Sequence, residues 1–305
     1  MKHVWMYAAA LAAAMVGCSD KDTDGVGGTQ EIRVGAKVIG AVETRAPVTT
    51  GSSFMAAIAA FEGSSDPADW TAVPAWTNSV TLTAQEQATG NLVPLNVMKV
   101  YPQTGNVYMA AWHPNILSLN GVVTFGRTGT EDVMYGGIVS GSSTVPVGAF
   151  SFTHALTQLN FQVQATAQYL TDNPGKQITG IDVIAAAYPQ SMQIGTGALT
   201  YTAPADLPVP GLLPVNLTSS LVSAGVPFMV EALDGVSIRV HYSDNTNSDV
   251  IPIINAATNT PLDAEAGKSH LITLTFQKTG EVGIQGSATV APWEIGASGN
   301  GSIVD

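Results

Sequence analysis

The stretch IRVGAKVIGAV, from Ile32 to Val42, indicates the fold class because its apolar residues recur at every second position. One face of this segment is apolar and comprises Ile32, Val34, Ala36, Val38 and Val42. Arg33 and Lys37 lie on the opposite face. An alternation of period two is typical of a β-strand with one face in a core and the other in solvent.

The same alternation recurs along the chain in LNFQVQA (159–165), VSIRVHY (236–242), HLITLTF (270–276) and VGIQGSATV (282–290). Turn-forming segments such as TDNPGKQ and YSDNTNSD lie between these strands. The 31 glycines and 17 prolines are spread along the whole sequence. These features predict an all-β protein of antiparallel strands. SSFMAAIAAFEG (52–63) fits either an amphipathic helix or a buried strand.

A stretch rich in Gly, Ser and Pro, GSSTVPVGAF (141–150), separates the two halves of the sequence. A chain of this length exceeds what a single core usually supports. We therefore predict two β-sandwich domains in tandem, an N-terminal one over residues 31–147 and a C-terminal one over 148–305.

The N-terminal residues MKHVWMYAAALAAAMVG (1–17) have the layout of a signal peptide, with a lysine, a short apolar segment and small residues at the end. The adjoining MVGC resembles the bacterial lipobox, so Cys18 is predicted to carry acyl chains such as palmitate. Residues 18–30 would then form a flexible tether to the outer membrane. The alternative is an ordinary signal peptide with an incidental cysteine.

The composition argues against several functions. Eleven basic and 23 acidic residues give a net charge of −12, which disfavours nucleic-acid binding. The spacing of Asp20, Asp22, Asp24, Gly25 and Glu31 fits an EF-hand loop, but no helix pair flanks it, so we predict no metal site.

No catalytic motif is present in the sequence, and the five histidines are far apart. His113 and His154 are predicted to be hydrogen-bonded structural residues. We therefore predict no enzymatic activity and no cofactor.

Four short phrases occur in order behind the predicted signal: VYPQTGNVYMAAWHPN (100–115), DVMYGG (132–137), FTHALTQLNFQV (152–163) and SATVAPWEIGASGNGSIVD (287–305). Together they resemble the fimbrillin family, the subunits of type V pili in Bacteroidota. The resemblance implies two β-sandwich domains of transthyretin-like, Greek-key type and export as a surface lipoprotein. It also implies cleavage by an arginine-specific surface protease and assembly with other pilus subunits by strand exchange.

On this interpretation the strand from Ile32 to Val42 is a placeholder, and cleavage between Arg45 and Ala46 would release it. The alternative is a permanent first strand followed by a solvated turn residue. The Gly- and Ser-rich end EIGASGNGSIVD (294–305) offers little apolar surface for a donor strand, which favours a tip or minor subunit with a role in cell adhesion.

Two other classes of function remain open from the sequence. The first is a surface glycan-binding lipoprotein of a carbohydrate-uptake system, with Trp70, Trp76, Trp112 and Trp293 as candidates for a sugar platform. The second is a surface glycosidase, which would require two carboxylates roughly 5 to 10 Å apart in a cleft.

Replacing Cys18 tests the lipid anchor. Cys18→Ala should abolish incorporation of labelled palmitate and retention in the membrane fraction, because no other thiol is available for acylation. Acyl labelling that persists in the variant would refute the assignment.

Overall fold

The computed structural model describes residues 30–39, 53–67, 69–83, 92–277, 290–291, 294–295 and 299–304. Nearly all regular structure in these ranges is β, accompanied by the short helix α1 (Ala167–Asp172). This confirms the predicted all-β fold class. No helix in the described part of the chain is long and apolar enough to cross a bilayer.

The strands up to residue 154 are β1 (Arg33–Val38), β2 (Ser53–Gly63), β3 (Trp76–Thr83), β4 (Val93–Pro94), β5 (Asn106–His113), β6 (Val122–Thr124), β7 (Met134–Gly141) and β8 (Ala149–His154). The strands that follow are β9 (Thr157–Ala165), β10 (Gln177–Ala186), β11 (Pro189–Gln193), β12 (Leu199–Tyr201), β13 (Ala205–Pro208), β14 (Val215–Asn216), β15 (Val222–Val230), β16 (Ser237–Tyr242), β17 (Ile251–Pro252), β18 (Ile254–Asn255), β19 (Thr260–Pro261), β20 (Lys268–Gln277), β21 (Val290–Ala291), β22 (Glu294–Ile295) and β23 (Gly299–Val304).

The first sheet has seven strands in the order β3-β2-β5-β7-β8-β1-β4. The sheet curls so that its two edge strands approach each other. The Asn96 amide, just after β4, donates to the Ser79 carbonyl of β3 at 2.9 Å. The inward side chains of these strands form one apolar core, which includes Val34, Ile58 and Phe150.

The second core lies between two sheets. One has the order β13-β10-β16-β17, and the other has the order β15-β9-β20-β23-β18-β19. Alternate residues of both sheets, among them Phe161, Val240 and Leu274, are buried between them. The alternation read in 159–165, 236–242 and 270–276 therefore corresponds to β9, β16 and β20.

A third apolar cluster connects the two cores. Ala57 and Trp112 from the first sheet meet Met192 and Met229 from later in the chain. Strand β6 pairs with β11 in a small sheet, so a strand from each half of the chain contributes to it. The Tyr135 hydroxyl also donates to the Ile194 carbonyl at 2.9 Å.

The predicted boundary at 147/148 falls between β7 and β8. Strand β8 follows this boundary, yet it pairs with β1 and contributes Phe150 and Phe152 to the first core. The chain thus leaves the first core after residue 154. The division into two domains stays a prediction.

In each core, an early strand pairs in parallel with a late one: β1 with β8, and β9 with β20. Parallel neighbours cannot be joined by a tight hairpin, so these two contacts are made between distant segments. The sequence analysis predicted only antiparallel pairing, and the parallel pairs are a correction to it. Alternation identifies the buried face of a strand but not its partner.

Within the ambiguous segment, residues Ser53–Gly63 form strand β2. Strand β2 lies between β3 and β5 in the sheet. Its residues are apolar on both faces because one face packs in the first core and the other in the connecting cluster. The C-terminal residues Gly299–Val304 also form a strand, β23, parallel to β20. Backbone hydrogen bonds can pair such a strand without apolar side chains. The Gly-rich sequence of this segment therefore did not predict it.

Two substitutions on β2 test this core. Ile58→Ala removes a fully buried side chain and should lower the free energy of unfolding by about 2–5 kcal/mol. Met55→Ala removes the same number of heavy atoms from a side chain that is 43% exposed, and should cost less than about 1 kcal/mol. Equal losses in urea unfolding would contradict the placement of β2.

Candidate functional site

The candidate site is the channel in the first core that strand β1 fills. The side chains of Ile32, Val34, Ala36 and Val38 are at most 4% exposed. Arg33 is exposed and Lys37 is half-buried on the other face. The apolar residues of β1 are therefore buried as the alternation predicted, whereas on the other face Lys37 is half-buried rather than exposed and Gly35 is buried.

Backbone hydrogen bonds hold β1 between two strands. Residues 35–38 pair in parallel with 149–152 of β8. On the other edge, residues 33–34 pair with 93–94 of β4, and the Ile32 amide donates to the Lys99 carbonyl at 2.8 Å. The strand ends where the Ile39 amide donates to the Phe152 carbonyl at 2.9 Å. Strand β1 is thus an interior strand with both edges paired.

Large side chains form the walls of the channel, among them Leu95, Tyr101, Phe150 and Phe152. The Tyr101 hydroxyl accepts a hydrogen bond from the Val147 amide at 2.8 Å. Burial raises the pKa of Tyr101, so this hydroxyl stays neutral at physiological pH. The channel consequently presents an uncharged apolar surface to any strand that occupies it.

Strand β1 packs closely against β8 at Gly35. A Cβ at this position would lie 3.3 Å from the Cβ of Ala149 and 3.4 Å from Cδ2 of Leu92. A strand in this register therefore needs a small residue opposite Ala149.

The polar face of β1 contributes little to its retention. Arg33 Nε lies 2.9 Å from Glu31 Oε2, and these side chains are 54% and 30% exposed. Solvent-exposed ion pairs typically contribute less than about 1 kcal/mol. Apolar burial and the two ladders therefore hold the strand.

Several predicted site residues lie outside the described part of the chain: Cys18, Val42, Arg45 and Ala46. The acidic residues of the EF-hand pattern are also outside it, except for Glu31. Within the described ranges, no group of three or more His, Cys, Asp or Glu side chains is arranged to hold a metal ion.

The histidines have structural surroundings, as expected from the sequence. His113 Nδ1 lies 2.8 Å from the Met55 carbonyl, and its ring packs edge-on against Phe54. His154 Nδ1 lies 2.7 Å from Asp132 Oδ1, with both side chains 1% exposed. The sequence analysis missed this buried pair, because only the fold brings the start of β7 next to the end of β8.

The four candidate tryptophans do not form one platform. Trp112 is 1% exposed, and its Nε1 donates to the Ile116 carbonyl at 2.8 Å. Trp293 lies outside the described residues. Trp70 and Trp76 are half-buried at the surface. Trp70 lies in the loop between β2 and β3, and Trp76 is the first residue of β3.

Comparison with known proteins gives a clear family match. The sequence model of a family described as fimbrillin-like matches residues 44–293. No curated protein matches the chain.

Solved structures resemble the fold at low sequence identity. A candidate cell adhesion protein from Bacteroides uniformis is 18% identical, with a TM-score of 0.52, and the alignment covers 86% of this chain and 98% of the other. A fimbrial protein from Bacteroides vulgatus is 14% identical, with a TM-score of 0.42, over 85% of this chain and 98% of the other. The first of these likenesses shows the fold alone, and the second is too remote to carry an argument.

Placing an aspartate on each face of β1 in turn tests whether this strand fills the channel. Val34→Asp buries a carboxylate in an apolar wall and should lower the free energy of unfolding by about 3 kcal/mol or more. Arg33→Asp places the same group on the exposed face and should cost less than about 1 kcal/mol.

If Val34→Asp does not fold, Val34→Ala provides a graded variant with an expected loss of about 2 kcal/mol. Urea unfolding measures all three. Losses that are alike on the two faces would show that β1 does not fill the channel.

Proposed function

We propose that this chain, which belongs to the fimbrillin-like family, is a pilus subunit whose strand β1 occupies the channel that a strand of another subunit fills on assembly. Family membership confirms the predicted resemblance and the prediction of a structural protein without enzymatic activity. It also supports a pilus or adhesin role at the cell surface. Release of β1, strand exchange and lipid anchoring are our proposal.

The position of β1 in the chain is the observation that carries the proposal. Strand β1 precedes every other strand of the first sheet in sequence, and its link to β2 runs through residues 39–52. A single cut in that link would leave β1 without a covalent connection to the core. Among the strands of this sheet that the structure describes, no other is freed by one cut, because the others are continuous with the chain on both sides.

The cut that we propose lies between Arg45 and Ala46, made by an arginine-specific protease at the cell surface. Before the cut, Cys18 would anchor the subunit to the outer membrane through its acyl chains. The same cut would separate the lipid from the core, so a single event would free the subunit and prepare the channel.

The energetics of β1 favour exchange over simple loss. Fully burying a Val or Ile side chain contributes about 1.5–3 kcal/mol, and β1 buries Ile32, Val34 and Val38 as well as Ala36. These contacts and both ladders survive hydrolysis of the chain. The cut strand would therefore leave only by local opening or when a competing strand pairs with β8 and β4.

We propose a tip or minor position in the pilus. A shaft subunit must supply a strand to its neighbour as well as accept one. In this chain the last strand, β23, has a Gly-rich sequence and is paired with β20. Its sequence offers few apolar side chains for a channel lined by Phe150 and Phe152.

A second candidate function is glycan binding by a surface lipoprotein that keeps β1 permanently. The surface position of Trp70 and Trp76 favours it. Retention of β1 distinguishes this function from strand exchange, whereas glycan binding alone is compatible with both, since an adhesin at a pilus tip also requires a ligand.

Controlled proteolysis tests the exchange. The purified protein is cut with an arginine-specific protease and incubated with a peptide that copies residues 30–42. Mass spectrometry should show that the segment ending at Arg45 stays bound after cutting and is displaced slowly by excess peptide. Arg45→Ala should block both the cut and the displacement.

A peptide with Val34 and Val38 replaced by Asp is the matched control, and it should not displace the strand, because it cannot enter the apolar channel. Displacement by the control peptide would contradict recognition of the strand by the apolar channel. Failure of the matching peptide to displace β1, or unfolding of the core on cutting, would identify β1 as permanent structure.

A further inference from the structure

Two neighbouring clefts open on the surface around the loop between β2 and β3. The first has a volume of about 360 Å³ and is lined by Trp76, Val73 and the turn 118–121. The second has a volume of about 240 Å³ and is lined by Trp70, Asp69 and the turn after β11. Gly121 lines both clefts, so they adjoin. The lining residues belong neither to β1 nor to the strands paired with it.

Trp76 is fixed in place before any ligand arrives. Its indole Nε1 donates to Glu62 Oε1 at 3.0 Å, and Lys99 Nζ lies 5.6 Å from the ring centroid. A side chain that is already ordered loses little entropy when a ligand stacks on it.

Trp70 is held just as firmly. Its ring packs edge-on against Phe61, with 4.9 Å between the centroids. A Cβ on Gly195 would lie 2.7 Å from the Trp70 side chain, and one on Gly121 would lie 2.4 Å from the Trp70 carbonyl oxygen. Both positions therefore require glycine, and Gly121 also has φ of +71°. The backbone at Gly121 and Gly195 therefore packs directly against Trp70 and restricts its movement.

The lining of the clefts selects the charge of a ligand. Neither cleft is lined by a Lys or Arg, and Asp69 is the one charged residue among the lining residues that the structure describes. The Thr71 hydroxyl and, with a smaller effect, the Thr71 amide donate hydrogen bonds to Asp69 and lower the pKa of its carboxyl group. The carboxylate is therefore ionised at neutral pH. Asp69 would repel an anionic ligand in the second cleft, and the net charge of −12 strengthens this effect, whereas Lys99 beside Trp76 offsets part of it in the first cleft.

The remaining lining groups are of two kinds. Ser118, Asn120 and Gln193 supply hydroxyl and amide groups that both donate and accept hydrogen bonds. Val73 and Leu119 are 88% and 76% exposed and supply apolar surface beside the indoles. A ligand that satisfies both kinds has hydroxyl groups at its edge and C–H groups on its face.

We infer that the paired clefts bind a neutral glycan, with one sugar unit stacked on Trp76 and a neighbouring unit on Trp70. The ordered indoles provide stacking surfaces, the amides and hydroxyls bind the sugar hydroxyls, and the Asp69 carboxylate disfavours sulfated or sialylated chains. This inference concerns residues separate from β1, so it stands or fails independently of strand exchange.

Glycan binding by the full chain in detergent tests the inference. An array of neutral oligosaccharides, including mannan and β-glucan fragments, is compared with sulfated and sialylated ones, and retained glycans are titrated by tryptophan fluorescence. At least one neutral oligosaccharide should bind. Trp76→Ala should weaken that binding about tenfold, as truncation of a stacked aromatic typically does, and Trp76→Phe should restore part of it.

The chain offers a matched control for folding. Leu119→Ala in the first cleft should weaken binding about threefold, the loss expected for a peripheral apolar contact. Leu213→Ala should change nothing, because Leu213 is 75% exposed, nearly as much as Leu119, and lines neither cleft. Both variants alter exposed side chains and should fold normally.

Three results would overturn the inference. The first is an array on which no neutral glycan binds or anionic glycans bind better. The second is binding that is unchanged in both Trp76→Ala and Leu119→Ala. The third is self-association, measured by sedimentation, that Leu119→Ala weakens in the absence of glycan binding, since this would identify the surface as a contact between copies of the chain.

Discussion

The parallel pairing of β1 with β8 is the contact on which the first half of the structure depends. It joins residues 35–38 to 149–152 and places Val34, Ala36 and Val38 between strands that would otherwise leave an open channel. An empty channel would expose both the apolar walls and the unpaired edges of β8 and β4. Such an edge is a template for another strand, so the core needs an occupant at all times. Which strand provides that occupant is a question of connectivity, because the channel recognises alternation, small size opposite Ala149 and absence of charge.

This requirement connects stability with assembly. The forces that retain β1 are apolar burial and backbone hydrogen bonds, which another strand of similar pattern can supply equally well. The exposed pair Arg33–Glu31 adds little that is specific to this strand. On the proposed mechanism, covalent attachment sets the identity of the occupant, and a protease cut would change it. On that mechanism, the subunit would remain folded until assembly and would exchange its strand only when a competing strand is present.

Much of this could be predicted from the sequence, but the partners of each strand could not. The alternation in 32–38 identified the apolar residues of β1 that are buried. The alternation in 270–276 identified Ile272, Leu274 and Phe276 of β20, but Thr273 and Thr275 on its other face are buried as well. The parallel partners could not be identified, because pairing between distant segments leaves no local pattern. Strand β2 was ambiguous because it is buried on both faces and loses the alternation that distinguishes strands from helices. The sequence indicated Trp112, Trp70 and Trp76 alike as candidates for sugar stacking. Only the fold shows that Trp112 lies in the core and that Trp70 and Trp76 lie at the surface.

Hydrogen exchange of the uncut protein tests the central claim most directly, because it measures whether β1 opens separately from its core. The amides that flank it, those of Ile32 and Ile39, donate to Lys99 and Phe152. They can be compared with the amides of Val107 and Met109 in the interior strand β5. If β1 is a replaceable occupant, its amides exchange through a local opening of lower free energy than global unfolding, and cutting after Arg45 speeds their exchange while β5 stays protected. If the amides of β1 and β5 exchange at the free energy of global unfolding both before and after the cut, β1 is an inseparable part of the core, and the account is wrong.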